Sequence, residues 1–164
     1  MTTLRAVLAV LAVAVVPVVA AAQSATVAFG GLKSDTTLPV EVTSDQLTVS
    51  QPDGTATFLG NVIVIQGEMR LSAAEVEVIY VKGDQTRIER LHAKGGVTLV
   101  SPQEAAEAQE AVYTVDSGEV VMTGEVLLTQ GQNTITGQKL VVDLKTGKGR
   151  MDGRVKTILN PGGN

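Results

Sequence analysis

Apolar and polar residues alternate with a period of two along most of the chain. Residues 40–42 read Val-Glu-Val, residues 75–78 read Glu-Val-Glu-Val, and the even-numbered positions of 140–144 are all apolar. Such alternation is typical of strands that bury one face. Val, Ile and Thr, which favour a pleated surface, dominate these stretches. The pattern therefore predicts an extensive, half-buried β-structure.

Turn signals recur between the alternating stretches. They share a Gly, usually beside an Asp or a Lys, and such residues suit tight corners. They stand at 52–54, 82–84, 94–96, 116–118, 145–147 and 151–153. Many short antiparallel strands joined by frequent turns predict an all-β fold.

One segment departs from this pattern. Residues 102–111 read PQEAAEAQEA, and Ala, Glu and Gln favour helix. We expect a short helix or an irregular loop there.

A Gly-x-Val motif recurs where strands are expected to begin. It occurs at Gly60, Gly95, Gly124 and Gly153, with spacings of 35, 29 and 29 residues. Repeats of this length are typical of stacked supersecondary units that share one core. A stack of this kind has two ends, and each end strand exposes unpaired backbone groups.

The N-terminal residues have the features of an export signal. Arg5 is the only charge in the first 22 residues, and an apolar run at 6–19 is followed by three alanines. This order predicts a signal peptide over residues 1–22, cleaved before Gln23. An uncleaved N-terminal anchor is the alternative. No Cys follows the apolar run, which excludes a lipoprotein, and no other segment is long and apolar enough to span a membrane as a helix.

The rest of the chain divides simply. Residues 23–38 are small and polar, and we expect a loose segment that leads into the domain. The β-domain itself is expected over 39–160, with a flexible tail at 161–164.

Composition excludes several classes of function. The 164 residues include 13 Lys and Arg, 17 Asp and Glu, and no Cys, for a formal net charge of −4. Without Cys there is no disulfide, thiol nucleophile or Cys-ligated metal site. An acidic chain also lacks the clustered cations that nucleic-acid binding needs.

The sequence frames no catalytic or metal site. His92 is the only histidine, and we expect it on a strand face rather than in a catalytic set. Residues 147–149 lack the flanking residues of a phosphate loop, and the aspartates lack the spacing of a calcium loop. Sequence alone leaves two kinds of catalytic site open. One is His92 acting with a Ser and an Asp elsewhere in the chain, and the other is a pair of carboxylates of the glycosidase type. We expect no enzyme activity, cofactor or metal.

Some predicted strands are apolar on both faces. They are residues 62–65, 120–122 and 126–128. A filled sandwich core and a groove that holds aliphatic chains both account for this feature.

Several blocks of sequence resemble a known family. The strongest are PVEVTSDQL at 39–47, ATFLGNVIVIQG at 56–67 and LSAAEV at 71–76, and shorter ones occur at 88–95, 111–113, 127 and 147–153. Together they resemble the OstA-like domain of the lipopolysaccharide-transport bridge proteins (LptA family) over residues 38–160.

The resemblance implies a fold, a location and a role. It implies an open, twisted β-jellyroll in the Gram-negative periplasm that holds lipid A acyl chains in an apolar trough. It implies partners as well, namely lipopolysaccharide, further copies of the chain joined head to tail, and homologous β-jellyroll domains of the inner- and outer-membrane components. Asp45, Gly60, Asn61 and Gly67 match positions with structural roles.

The chain departs from the family pattern in two places. Glu125 replaces the Asn of the second Gly-Asn-Val, and the segment at 102–111 is untypical. The chain ends soon after its last predicted strand, so we expect no separate C-terminal domain, which disfavours the membrane-barrel member of the system.

The alternation and the resemblance together select candidate residues. Those expected to line the trough are Val40, Val42, Leu47, Val49, Phe58, Val62, Val64, Val76, Val78, Tyr80, Leu91, Tyr113, Val115, Leu140, Val142 and Leu144. The register at 62–65 is ambiguous because Ile63 and Ile65 are apolar too. Those expected at the edges used for assembly are Val40, Val42, Val155, Thr157 and Leu159.

The expected function is a non-enzymatic periplasmic carrier of lipopolysaccharide that bridges the inner and outer membranes. Two alternatives remain. One is the membrane-anchored sister component of the same system, and the other is a secreted structural or adhesive β-solenoid with a filled core.

Overall fold

The computed structural model describes residues 25–28 and 30–160, which form eleven strands and one 3₁₀ turn, Gly30–Leu32. The strands are β1 Ala25–Ala28, β2 Glu41–Thr43, β3 Gln46–Ser50, β4 Thr55–Gln66, β5 Met69–Val81, β6 Asp84–Val100, β7 Glu104–Thr114, β8 Glu119–Gln130, β9 Asn133–Asp143, β10 Lys148–Asp152 and β11 Lys156–Ile158. The predicted signal peptide at 1–22 and the tail at 161–164 lie outside the described residues.

All the strands belong to one open antiparallel sheet. Its order is β1-β10-β9-β8-β7-β6-β5-β4-β2, while β3 pairs with β4 and β11 pairs with β9. Strands β4 to β9 each pair with the next one along the chain, as in a meander. The predicted all-β class is confirmed, although β4 to β9 are 11 to 17 residues long rather than short.

The long strands continue through bulges, where they bend instead of ending. These bulges coincide with the Gly-x-Val motifs. The registers shift at Leu59/Val62, Lys94/Val97 and Thr123/Val126. At each shift two consecutive residues have positive φ, beginning at Gly60, Gly95 and Gly124, and the same occurs at Gly153 just after β10. A bulge increases the local bend and twist of a strand. These four positions, which we call the corner row, therefore fold the sheet.

The corner row divides the sheet into two halves. The β3 half contains β3, β10, β1 and the parts of β4 to β9 that pair in line with them. The β2 half contains β2, β11 and the remaining parts of β4 to β9. Buried residues of both halves join one hydrophobic core, so the halves face each other as in a jellyroll.

Close packing explains why glycine occupies the corner row. A Cβ atom on Gly124 would lie 2.8 Å from Cβ of Gln109 on the neighbouring strand, and one on Gly95 would lie 2.7 Å from Cβ of Ala74. At Gly60 the facing residue is Asp45, whose Oδ2 accepts a hydrogen bond from Asn61 Nδ2 at 2.8 Å. The corner row thus needs glycine both for φ and for space.

The segment at 102–111 is neither a helix nor a loop. From Glu104 onward it belongs to β7, which pairs with β6 on one side and β8 on the other, and only residues 102–103 precede the strand. Its alternation decides the outcome, because Ala106 and Ala108 are buried while Glu107 and Gln109 are exposed. Pairing on both sides thus overrides the intrinsic helix propensity of Ala, Glu and Gln.

The segment expected to be loose at 23–38 is ordered over its described residues. β1 pairs with β10, and Leu32 is only 1% exposed. The cause is the sheet edge at β10, which offers unpaired backbone groups, together with an apolar opening that Leu32 fills.

Candidate functional site: an apolar trough

The inner face of the sheet follows the predicted alternation. Val76 is fully buried and Val78 nearly so, whereas Glu75 and Glu77 are half-buried on the outer face. At 62–65 the register resolves in favour of Val62 and Val64, which are buried. Ile65 points the other way and is 36% exposed.

The predicted lining residues differ in how deeply they are covered. Those that are buried are Val62, Val64, Val76, Val78, Leu91, Tyr113, Leu140, Val142 and Leu144. Those that are half-buried are Val40, Val42, Phe58, Tyr80 and Val115, each packed against the core. Leu47 and Val49 are exposed.

The buried residues meet between the two halves. Val64, Met69 and Leu71 of the β2 half and Tyr113 and Val120 of the β3 half line one shared, wholly apolar space. Several core residues were not among the candidates, namely Leu32, Leu99, Met122, Leu128 and Met151. The strand register identifies such residues. Leu99, for example, lies directly opposite Leu71 and therefore projects to the same buried face.

Leu47 and Val49 extend this apolar face to the edge of the sheet. Leu47 lies opposite Phe58, which lies opposite Val76 on the next strand. Directly opposed residues project to the same face, so Leu47 shares the inner face with Val76. Leu47 is nevertheless 55% exposed and Val49 60% exposed, because β3 lies at the edge of the sheet. The core therefore grades into an uncovered apolar strip at β3.

Residues 30–38, which we call the strap, close the trough along the strand ends that lie farthest from the corner row, where they contact Gln66, Glu104 and Leu144. Gln66 is buried and donates from Nε2 to the carbonyl oxygens of Leu38, at 2.8 Å, and Thr36, at 3.1 Å. Tyr113 donates its hydroxyl to Gln66 Oε1 at 2.8 Å. Burial raises the pKa of Tyr113 above its ordinary value.

Further contacts fix the strap. The backbone N–H of Ser34 donates to the carbonyl of Leu144 at 2.9 Å. Glu104 Oε1 accepts from Gly31 N at 3.3 Å and from Gln130 Nε2 at 2.8 Å, while Glu104 Oε2 is buried without a hydrogen-bond partner. A buried carboxylate oxygen without a hydrogen bond costs free energy. The unpaired Oε2 of Glu104 therefore offsets part of the stabilisation that the two bonds to its Oε1 provide.

The polar outer face shows local ion pairs and turn contacts. His92 Nε2 lies 3.1 Å from Glu110 Oε2 in a pair that faces outward. Asp84 and Asp143 accept hydrogen bonds from Thr86, Thr146 and neighbouring backbone, and these bonds lower the pKa of each carboxyl. Both aspartates thus act as turn residues.

Over 25–28 and 30–160, no group of three or more metal-ligating side chains comes together. The same residues include no helix long and apolar enough to cross a membrane.

The predicted assembly residues lie at two opposite edges. Val42 is in β2 and Val40 just precedes it, next to β4. Thr157 is in β11, with Val155 before it and Leu159 after it, next to β9. Neither β2 nor β11 carries a second neighbouring strand within the described chain.

Comparison with known proteins agrees with this architecture. Residues 41–148 match the family described as "LptA/(LptD N-terminal domain) LPS transport protein". An uncharacterized protein of Rhizobium meliloti is 30% identical over 152 residues, which are 87% of this chain and 82% of that protein. The lipopolysaccharide export system protein LptA of Escherichia coli K12 is 29% identical over 84% of this chain and 80% of its own.

A solved structure shares the fold. The crystal structure of LptH, described as the LptA homologous periplasmic component of the lipopolysaccharide transport device of Pseudomonas aeruginosa, matches with a TM-score of 0.69. The match covers 78% of this chain and 99% of LptH at 21% identity. With the family match over residues 41–148, the chain belongs to the LptA/LptD N-terminal domain family of lipopolysaccharide transport proteins.

Proposed function

We propose that the protein is a non-enzymatic periplasmic carrier that holds the acyl chains of lipid A against the inner face of its sheet. The observation that carries the proposal is the apolar strip at β3, where Leu47 and Val49 continue the buried face into solvent. An uncovered apolar strip joined to a core is the kind of surface that marks a binding site.

Acyl burial supplies the affinity in this account. Each CH₂ group removed from water contributes about 0.8 kcal/mol. The chain is acidic overall, with a formal net charge of −4, so attraction to the lipid phosphates is not the main source of affinity. A trough open along β3 covers the tails while the saccharide stays in water.

Assembly completes the proposal. Copies join head to tail. The edge of one copy that contains β2 and β3 lies beside the opposite edge of another copy, which contains β11 and which we call the C-terminal edge. Backbone hydrogen bonds across such an edge provide affinity without a specialised pocket. Because the two edges differ, the contact is heterologous and extends into a rod, which suits a bridge between the inner- and outer-membrane components through their homologous β-jellyroll domains.

The two alternatives differ in measurable ways. The membrane-anchored sister component would retain residues 1–22, so the N-terminal residue of the purified protein distinguishes it from a carrier cleaved before Gln23. A structural module with a filled core would hold no lipid.

The direct test is mass spectrometry of lipid extracted from protein purified without detergent. We expect lipid A species with the wild type and with Thr48→Glu, whose change lies on the outer face of β3. We expect much less lipid with Val49→Glu, which places a charge on the inner face. Absence of lipid from the wild type would overturn the carrier proposal.

A further inference from the structure

The two edges of the sheet differ in shape. At the N-terminal edge β2 and β3 both lie directly on β4, so the edge is level across the two halves. At the C-terminal edge β11 lies directly on β9, but in the β3 half β10 lies on β9 and β1 lies on β10. The C-terminal edge is therefore stepped by one strand, about 4.8 Å.

A level edge and a stepped edge do not pair along both halves at once. With β1 in place, β3 of a second copy would meet β1 while β2 of that copy stood one strand away from β11. Without β1, both β10 and β11 lie directly on β9, and the two edges match.

Strand direction leads to the same conclusion. Every pair in the sheet is antiparallel, so β1 runs opposite to β10, and β3 runs opposite to β4. Counting along the alternating strands from β4 to β10, β4 and β10 run the same way, and hence β1 and β3 do too. In a continuous rod β3 would pair with β1 in parallel but with β10 antiparallel, like the rest of the sheet.

We propose that β1 occupies the outer edge of β10 as an intramolecular substitute for β3 of a second copy, and that it leaves when that copy binds. This inference rests on the proposed head-to-tail assembly and specifies how it is controlled. In the free protein β1 protects an edge that would otherwise pair indiscriminately. The occupant that replaces it is the five-residue β3, which brings β2 against β11 as well.

The contacts of the strap allow β1 to leave alone. β1 is four residues long, and one residue separates it from Gly30 and Gly31. The bonds from Gly31 to Glu104 and from Ser34 to Leu144 come after β1 in the chain and involve none of its residues. Release of β1 thus leaves Leu32 in the core and the trough closed at the strap.

Two variants of the mature chain test the inference by sedimentation equilibrium over a range of concentrations. The first begins at Gly30 and lacks β1. The second, Thr26→Cys/Arg150→Cys, joins two directly opposed positions of β1 and β10 in a chain that has no other Cys. Its reduced form is the matched control for its oxidised form, and circular dichroism checks that each retains its β-structure.

We expect the chain that begins at Gly30 to assemble at a concentration about tenfold lower than the mature chain, because no fraction of it is blocked. We expect the oxidised double variant to stay monomeric where its reduced form assembles. Unchanged or weaker assembly without β1 would overturn this inference but leave the carrier proposal standing. Absence of assembly in every form would overturn the head-to-tail proposal, and this inference with it.

Discussion

The hydroxyl of Tyr113 donates a hydrogen bond to Oε1 of Gln66 at 2.8 Å, across 47 positions of sequence, and both side chains are buried. Gln66 in turn holds the backbone of the strap at Thr36 and Leu38. One polar link therefore connects the apolar face at Tyr113 to the strap that closes it.

Loss of this link is expected to destabilise the fold. Tyr113→Phe leaves Oε1 of Gln66 buried without its donor, which costs about 1–3 kcal/mol of the free energy of unfolding. Urea denaturation measures the change, and Tyr80→Phe, at a half-buried position beside the core, is the control. Equal effects of the two substitutions would contradict the assigned role of Tyr113.

Tyr113 is also expected to make the stability of the folded protein decrease at alkaline pH. Burial raises its pKa above the ordinary value of 10.0, so the folded state holds the proton more tightly than the unfolded state. The resulting stability is complete below the unfolded pKa and is lost as the pH rises through the folded pKa. In urea titrations from roughly pH 8 to 11, wild type should lose more stability than Tyr113→Phe. Parallel curves would show that Tyr113 titrates normally.

Glycine is required in the corner row for two reasons, its positive φ and the lack of space for a side chain. The adjacent Gly95 and Gly96 allow the two effects on stability to be measured separately. Gly95 and Gly96 have similar φ, 81° and 84°, but only Gly95 faces a close neighbour, Cβ of Ala74. Ala at Gly96 incurs backbone strain alone, whereas Ala at Gly95 adds overpacking of about 1–3 kcal/mol. Thermal or urea unfolding should rank Gly95→Ala below Gly96→Ala in stability.

A second substitution checks the cause. Ala74→Gly removes the facing methyl group and should recover much of the stability lost in Gly95→Ala. The same change should recover none in Gly96→Ala. Failure of this specific rescue would mean that steric contact at the corner row is not what excludes a side chain.

The sequence predicts one layer of this structure well. Period-two spacing places Val76 and Val78 inside, as the structure has them. The expectation that the Gly-x-Val motifs begin strands is wrong, because Gly60, Gly95 and Gly124 lie inside β4, β6 and β8, where the motifs form bulges. What it does not predict depends on partners distant in sequence. β7 forms because β6 and β8 pair with it despite its helix-forming composition, and β1 forms because β10, more than 100 positions away, offers an edge. Neither partner is visible in the local pattern.

The exposed state of Leu47 and Val49 has a similar origin. Alternation assigns both residues to the inner face, and the register agrees. Their exposure follows instead from the position of β3 at the edge of an open sheet. Local periodicity specifies the face of a strand but not its place in the sheet order.

His92 is expected to be dispensable for transport. Its outward-facing pair with Glu110 is partly exposed, and such pairs contribute about 1 kcal/mol or less. His92→Ala should therefore leave lipopolysaccharide transport and folding nearly unchanged in a complementation assay. A large loss of transport in a folded protein would revive a catalytic role.

The C-terminal edge is expected to be sensitive to proline. Thr157 lies in the middle of β11, and proline there removes an N–H and restricts φ. Light scattering should show that the wild type grows in mass with concentration while Thr157→Pro stays small and keeps its β-structure. Thr157→Val retains the N–H and should behave as wild type. A wild type that neither self-associates nor binds a homologous domain would contradict the bridge.

Photo-crosslinking at two adjacent residues of β3 tests the trough most directly. Leu47 and Thr48 are both exposed, but Leu47 lies on the inner face and Thr48 on the outer face. A benzophenone side chain at position 47 should capture lipopolysaccharide in cells, and one at position 48 should not. Equal capture at both positions, or capture at 48 alone, would contradict the assignment of the inner face as the lipid-binding surface.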